Sequence, residues 1–306
     1  MRWKPIRLIP DDTKYPFMRL SRFGFFISGI LCAASILLFA TIGLNYGIDF
    51  KGGTVITIRT LNGPAQVDQL RSTLNGLGLG GVELQQFGTP SDVLIRLGAQ
   101  GDDKLEQAAQ AKVKAALGTG VEVRSTETVG PKVSQELTQQ AIAAVMLSLL
   151  FVLIYLWVRF EWQFAVGAIL SLLHDVTLSI GLFTLIGLEF NLSIIAAILT
   201  IIGYSLNDTV VVFDRIREFL RKYKSMPLAD LIDLSINSVL PRTILTSLAT
   251  MMALIALYVF GGEVIRGFTF AMIWGVVVGT YSSIFIASPV LILLGTKREM
   301  PGAEKV

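Results

Sequence analysis

The chain has 306 residues, 53% of them hydrophobic and only 16% charged, with a mean hydropathy of +0.64 and a net charge of +3. This composition sets it apart from soluble globular proteins and places it in the membrane class. A single cysteine, Cys32, excludes an internal disulfide and CxxC-type metal spacing, and no clustered basic and aromatic surface argues for nucleic acid.

Six apolar runs reach or approach the roughly 20 residues a helix needs to cross a bilayer. They are 23–46, 141–158 (only just), 164–188, 190–213, 239–260 and 268–295. The first is too long for the apolar core of a signal peptide, and no small-residue cleavage site follows it. Cys32 lies within this run as a small packing residue.

Basic residues set the orientation. Six lie in residues 1–22 (Arg2, Lys4, Arg7, Lys14, Arg19, Arg22), and six follow the fourth run (Arg215, Arg217, Arg221, Lys222, Lys224, Arg242). The connection around Glu189 has none, and that around 261–267 has only Arg266. The positive-inside rule predicts cytoplasmic segments 1–22, 214–238 and 296–306, with residues 47–135 on the far side. The net charge is then mainly a topology signal.

Residues 54–129 predict the one sizeable domain outside the membrane. Thr54–Thr60 alternates and is β-branched, the pattern of a strand. Pro64–Leu77 reads as a helix closed by Gly78, and 81–87 and 92–97 as two strands around a turn at Gly88–Ser91. Residues 102–117 read as a second helix closed by Gly118, and 121–129 as a last strand. The predicted fold is a six-helix polytopic membrane protein carrying a small α+β domain of ferredoxin-like βαββαβ order. With no His or Cys and no evident nucleophile–base pair, that domain reads as a binding or lever module. In the connection 214–238, Asp214–Lys224 extends the fourth helix, and Pro227 starts a short amphipathic helix lying on the membrane surface.

Four charged or titratable residues fall where lipid should be: His174 and Asp175 in the third run, Asp208 in the fourth, and Arg242 at the start of the fifth. A charge at membrane depth costs roughly 2.5–3.5 kcal/mol on insertion scales, so it is usually paired, protonated or functional. Thr200, Gly203, Tyr204, Asn207 and Asp208 share one helix face, and Arg242, Thr243, Thr246, Ser247 and Thr250 cluster on another. Asp208 and Arg242 lie at comparable depth, which makes a pair between them geometrically feasible. Such a pair can be a static fixer of helix register or the working part of a proton carrier. His174-Asp175 can extend a proton route or simply pack.

The sixth run carries Ala271, Gly275, Gly279, Ser283 and Ala287 at four-residue intervals, a stripe for close helix packing. Intramembrane proteolysis is disfavoured: HExxH is absent, and His174 is the one histidine available to a serine nucleophile.

Several stretches together resemble a known family. They are Gly47-Ile48-Asp49-Phe50-Lys51-Gly52-Gly53 after the first span, Gly203-Tyr204-Ser205-Leu206-Asn207-Asp208-Thr209 leading into Asp214-Arg215-Ile216-Arg217-Glu218, Arg242-Thr243, Phe260-Gly261-Gly262, and Lys297-Arg298-Glu299. Across essentially its whole length the chain is similar to the SecD/SecF family of protein-export membrane subunits, on the SecF side, within the resistance-nodulation-division superfamily. The resemblance implies a bacterial inner-membrane protein that uses the proton motive force, with SecD, to help draw unfolded preproteins from the SecYEG channel on the periplasmic side. It implies no covalent catalysis and no cofactor beyond the proton as coupling ion, with SecD, SecYEG, YajC and membrane lipid as partners. No SecD segment is expected in the chain, so a separate partner supplies the other half of a twelve-helix bundle. It further implies a proton pathway at Asp208 and Arg242, with Asn207, His174 and Asp175 beside them, and a joint at Gly47, Asp49, Phe50, Gly52 and Gly53. Gly52 and Gly53 permit the positive φ such a joint needs. A passive assembly scaffold and half of a small-molecule efflux transporter are the competing expectations.

Overall fold

The computed structural model describes residue 10, residues 13–86 and residues 88–296. The chain runs through α1 (Phe17–Thr41), the two-residue strand β1 (Asn45–Tyr46), the single turn α2 (Ile48–Lys51), β2 (Gly53–Thr60), α3 (Val67–Asn75), β3 (Val82–Gln86) and β4 (Asp92–Leu97). It continues with α4 (Asp103–Leu117), β5 (Val121–Val129), α5 (Pro131–Arg159), α6 (Trp162–Leu185), β6 (Glu189–Phe190) and α7 (Leu192–Lys222). It closes with α8 (Leu228–Phe260), α9 (Glu263–Ser282), a π-helical turn at Ser283–Ala287 and α10 (Ser288–Leu294). Among the described residues six helices are long and apolar enough to cross a membrane: α1, α5, α6, α7, α8, and α9 continued through α10. The basic residues Arg2, Lys4 and Arg7, the Lys297-Arg298-Glu299 segment, and Phe87 at the end of an expected strand lie outside the described residues.

Two compact units are present, one of residues 45–145 with 189–192, the other of the remaining membrane segments. The first is built on a four-stranded antiparallel sheet in the order β3-β4-β2-β5. Along the chain its elements follow the β-α-β-β-α-β order read from the sequence. Alternation in β2 and β4 sends Ile56, Ile58, Val93, Ile95 and Leu97 into one core with Leu74 of α3 and Ala109 and Val113 of α4. The helix expected from Pro64 starts only at Val67, because residues 61–66 form the loop that leaves β2. Asp102 caps α4, its Oδ1 accepting from the backbone N–H of Lys104 at 2.7 Å and of Leu105 at 3.1 Å.

In the second unit a seam of small residues on α1, namely Ser21, Gly24, Ser28 and Ser35, is buried. A Cβ on Gly181 of α6 would collide with Ser35, so the α1 and α6 backbones approach closely there. Gly275 of α9 leaves no room between its backbone and Ile201 of α7, and a Cβ on Gly279 would lie 3.0 Å from Ser205.

One expectation is corrected here. No separate surface helix follows Pro227, because α8 runs unbroken from Leu228 to Phe260 through Pro241. Its first turns bury Leu231, Ile232 and Ile236, and its polar side chains grip the chain entering α1. Asn237 Oδ1 accepts from Tyr15 N–H and its Nδ2 donates to Tyr15 C=O, both at 2.9 Å, while Asp233 accepts from Met18 N–H. The apolar face is spent on protein, so it is not free to serve a membrane surface.

Candidate functional site

The polar groups at membrane depth meet on three consecutive residues of α9: Thr280, Tyr281 and Ser282. Thr280 Oγ1 donates to Asp208 Oδ2 of α7 at 3.3 Å and lies 3.0 Å from Ser247 Oγ of α8. Tyr204 of α7 joins this chain by donating to Ser247 at 3.3 Å. The ring of Tyr281 stacks on His174, with centroids 6.0 Å apart, and its hydroxyl donates to Gly24 C=O of α1. Ser282 Oγ donates to Asp175 Oδ2 at 2.8 Å, and Ser205 Oγ of α7 donates to the same oxygen at 2.5 Å. His174 Nδ1 lies 2.8 Å from the other oxygen of Asp175. The π-turn begins immediately after Ser282; such turns are frequent at functional sites.

Asp175 is 1% exposed and His174 6%, so the pair lies well away from water. Among the described residues, buried His174 Nε2 has no hydrogen-bond partner. With Asp175 ionised, Nδ1–H donates to it, which directs Nε2 away from the pair.

The expected polar face of α7 divides in two. Asp208 is buried and bound to Thr280, whereas Thr200, Gly203 and Asn207 face outward, because they sit on the opposite edge of the stripe. Arg242 is exposed on α8 and lies within electrostatic reach of Asp208, but no ion pair closes between them. Thr246 and Thr250 spend their hydroxyls on their own helix backbone. Sequence reasoning missed Thr280, Tyr281, Ser282 and Ser205. The signal was the polar run Thr280–Ser283 inside an apolar span, which the four-residue stripe of small residues obscured.

The segment 47–53 is a built joint inside the sheet-bearing unit. β1 pairs in parallel with β6, and Gly47 N–H donates to Phe190 C=O at 2.9 Å. Tyr46, Phe50 and Phe190 pack ring on ring. A side chain at Gly47 would come within 2.7 Å of Glu189 Oε1. Gly52 and Gly53 have φ of 70° and 116°, and a Cβ at Gly53 would strike the carbonyl of Leu97. Asp49 Oδ2 accepts from Leu192 N–H at 2.9 Å, capping the first residue of the helix that carries Asp208. Arg96 of β4 reaches Glu189 at 2.7 Å and Asn45 at 3.2 Å.

These features define a multi-pass membrane protein with one sheet domain between its first two spans and a layer of buried ionisable groups in its helices. Residues 109–297 match the family described as Protein export membrane protein SecD/SecF, C-terminal, and residues 37–60 match the SecD/SecF GG Motif. The chain belongs to the SecD/SecF family. It is 44% identical to the protein translocase subunit SecF of Rhodobacter capsulatus, over 96% of this chain and 92% of that one. It is 45% identical to the protein translocase subunit SecDF of Brucella abortus, over 98% of this chain but only 40% of the longer relative. Its fold superposes on the crystal structure of SecDF, a translocon-associated membrane protein from Thermus thermophilus, with a TM-score of 0.85 and 37% identity, covering 95% of this chain and 40% of that one.

Proposed function

We propose that the chain is a SecF-type subunit of the protein-export machinery of the bacterial inner membrane, and that it converts proton passage into movement of its sheet domain. The observation that carries this reading is the convergence of Thr280, Tyr281 and Ser282 on Asp208, His174 and Asp175. Ionisable groups at this depth are expensive to keep, and residues retained at that cost commonly mark ion routes.

A proton reaching Asp208 neutralises its carboxylate. The pull of Arg242 is lost, and the bond with Thr280 is exchanged for a weaker, neutral one. α7 then shifts against α8 and α9. Because α7 begins at Leu192 within the sheet-bearing unit, and Asp49 of the glycine-rich joint accepts a hydrogen bond from Leu192 N–H, the shift can be passed to that unit along the chain and through this bond. One charge crossing about 100 mV is worth roughly 2.3 kcal/mol, enough to bias a two-state element. The work needs no covalent catalysis, and the proton is the coupling ion. A SecD-type partner completes the bundle, SecYEG and YajC stand beside it, and the sheet domain faces the periplasm, where it acts on emerging preprotein. Both termini are cytoplasmic.

The test is gradient-dependent export in inner-membrane vesicles containing the partner, comparing wild type with Asp208→Asn and Arg242→Met. Loss of the gradient-stimulated part of export, with normal assembly, is the expected result. Unchanged export overturns the proton reading and leaves a passive scaffold.

A further inference from the structure

A groove of about 1180 Å³ runs between α1, the first turns of α8 and α10. Its mouth carries Arg19 and Arg22 of α1 and Asp230 of α8, and its trough is apolar, with Phe26, Gly29, Ile30 and Ala33 on one wall and Leu293 on the other. Asp233 also lines the mouth, but its carboxylate is already taken by Met18 N–H. Arg19, Arg22 and Asp230 form no ion pairs among the described residues.

The dimensions say what fits. Arg22 and Ala33 lie about 17 Å apart along the helix at 1.5 Å per residue. Half of a hydrocarbon core about 30 Å thick is about 15 Å. The trough therefore spans one leaflet and stops, the length of a lipid tail; a transmembrane helix from another subunit needs a track across the whole bilayer. The mouth holds both signs of charge, two guanidiniums and one carboxylate. That matches a headgroup bearing a phosphate and a primary ammonium. Guanidinium is the side chain best suited to phosphate oxygens, and a carboxylate accepts from ammonium.

We propose that this groove binds one ethanolamine phospholipid, its phosphate on Arg19 and Arg22, its ammonium at Asp230 and a tail along Gly29 and Ala33. Such a lipid braces the start of α1 against α8 and α10. No step of the proposed transport cycle is needed for the site to exist, so it stands or falls separately.

The test is native mass spectrometry of the full chain purified in mild detergent, with ethanolamine or glycerol phospholipids added. Wild type is expected to retain the ethanolamine lipid in preference to the glycerol lipid. Arg19→Gln with Arg22→Gln is expected to lower retention of both by about tenfold, the scale of losing a charge-assisted contact. Asp230→Asn is expected to abolish the preference alone. Gly29→Leu, whose side chain enters open space, is expected to lower retention without lowering the thermal midpoint, which keeps the test sound if the arginine variant fails to fold. Equal retention by wild type and the arginine variant, preference for the glycerol lipid, or displacement by millimolar inorganic phosphate overturns the proposal.

Discussion

Helices α5 and α6 are separated only by Phe160 and Glu161, yet they follow opposite rules. α5 is the most apolar of the six spans, and only 11% of its most apolar stretch is buried. α6 is among the least apolar, yet 56% of the corresponding stretch is buried, with Ser171, His174, Asp175, Ser179 and Thr184 all inside. In water the order would be reversed. Lipid tails are as apolar as leucine, so an apolar face gains little by turning inward, whereas hydroxyls and carboxylates must find partners there. Within this pair, polarity marks the buried helix and the plainer one stays exposed.

The largest expected effect tests the buried side of that contrast. Asp175→Ala leaves Ser205, Ser282 and His174 Nδ1 without their acceptor and is expected to destabilise the purified protein by about 3–5 kcal/mol, measured by denaturant unfolding in micelles.

A smaller effect sharpens it from the aqueous side. Asp92 of the sheet domain is held by two guanidinium bonds from Arg59, at 2.7 and 2.8 Å, and one from Thr89. Hydrogen bonds from Arg59 and then Thr89 hold its carboxyl well below the usual carboxylate range. Its contribution is therefore complete above about pH 4 and is lost as the pH falls further below that value. Arg59 is 38% exposed, which keeps the effect modest. Protection factors of β4 amides, that is, the intrinsic exchange rate divided by the observed rate at each pH, are expected to fall in wild type between about pH 5 and about pH 2 and to lose that fall in Asp92→Asn.

The smallest effect tests the exposed side. Leu150→Ala on α5 is expected to change stability by no more than about 0.5 kcal/mol in the same unfolding measurement. A loss comparable to that of Asp175→Ala would break the contrast outright.

The six spans were legible because each needs one long apolar run, but their ends were not. α5 begins at Pro131, well ahead of the apolar run at 141–158, because backbone hydrogen bonding does not begin where hydrophobicity does, whereas the continuation of α7 to Lys222 was read from the sequence. The start of α8 was misread because Leu231, Ile232 and Ile236 make an apolar face equally suited to protein or to a membrane surface, and only the contacts with residues 15–18 decide. The domain strands were read almost to the residue, since alternation is local. The pair β1 and β6 has two residues each and brings together segments far apart in sequence, so no periodicity betrays it. At the buried site, the carboxylates stood out as charges among apolar residues. Their hydroxyl partners did not, because serine and threonine occur freely in membrane helices.

The short link between α6 and α7 has a practical consequence. Glu189–Leu192 join two membrane helices, yet they belong to the same compact unit as the sheet. A spin or fluorescent probe attached there would report the state of the domain, although a topology map would assign it to the bundle. Because Cys32 is the chain's one cysteine, replacing it gives a background in which such a label can be placed by a single introduced thiol.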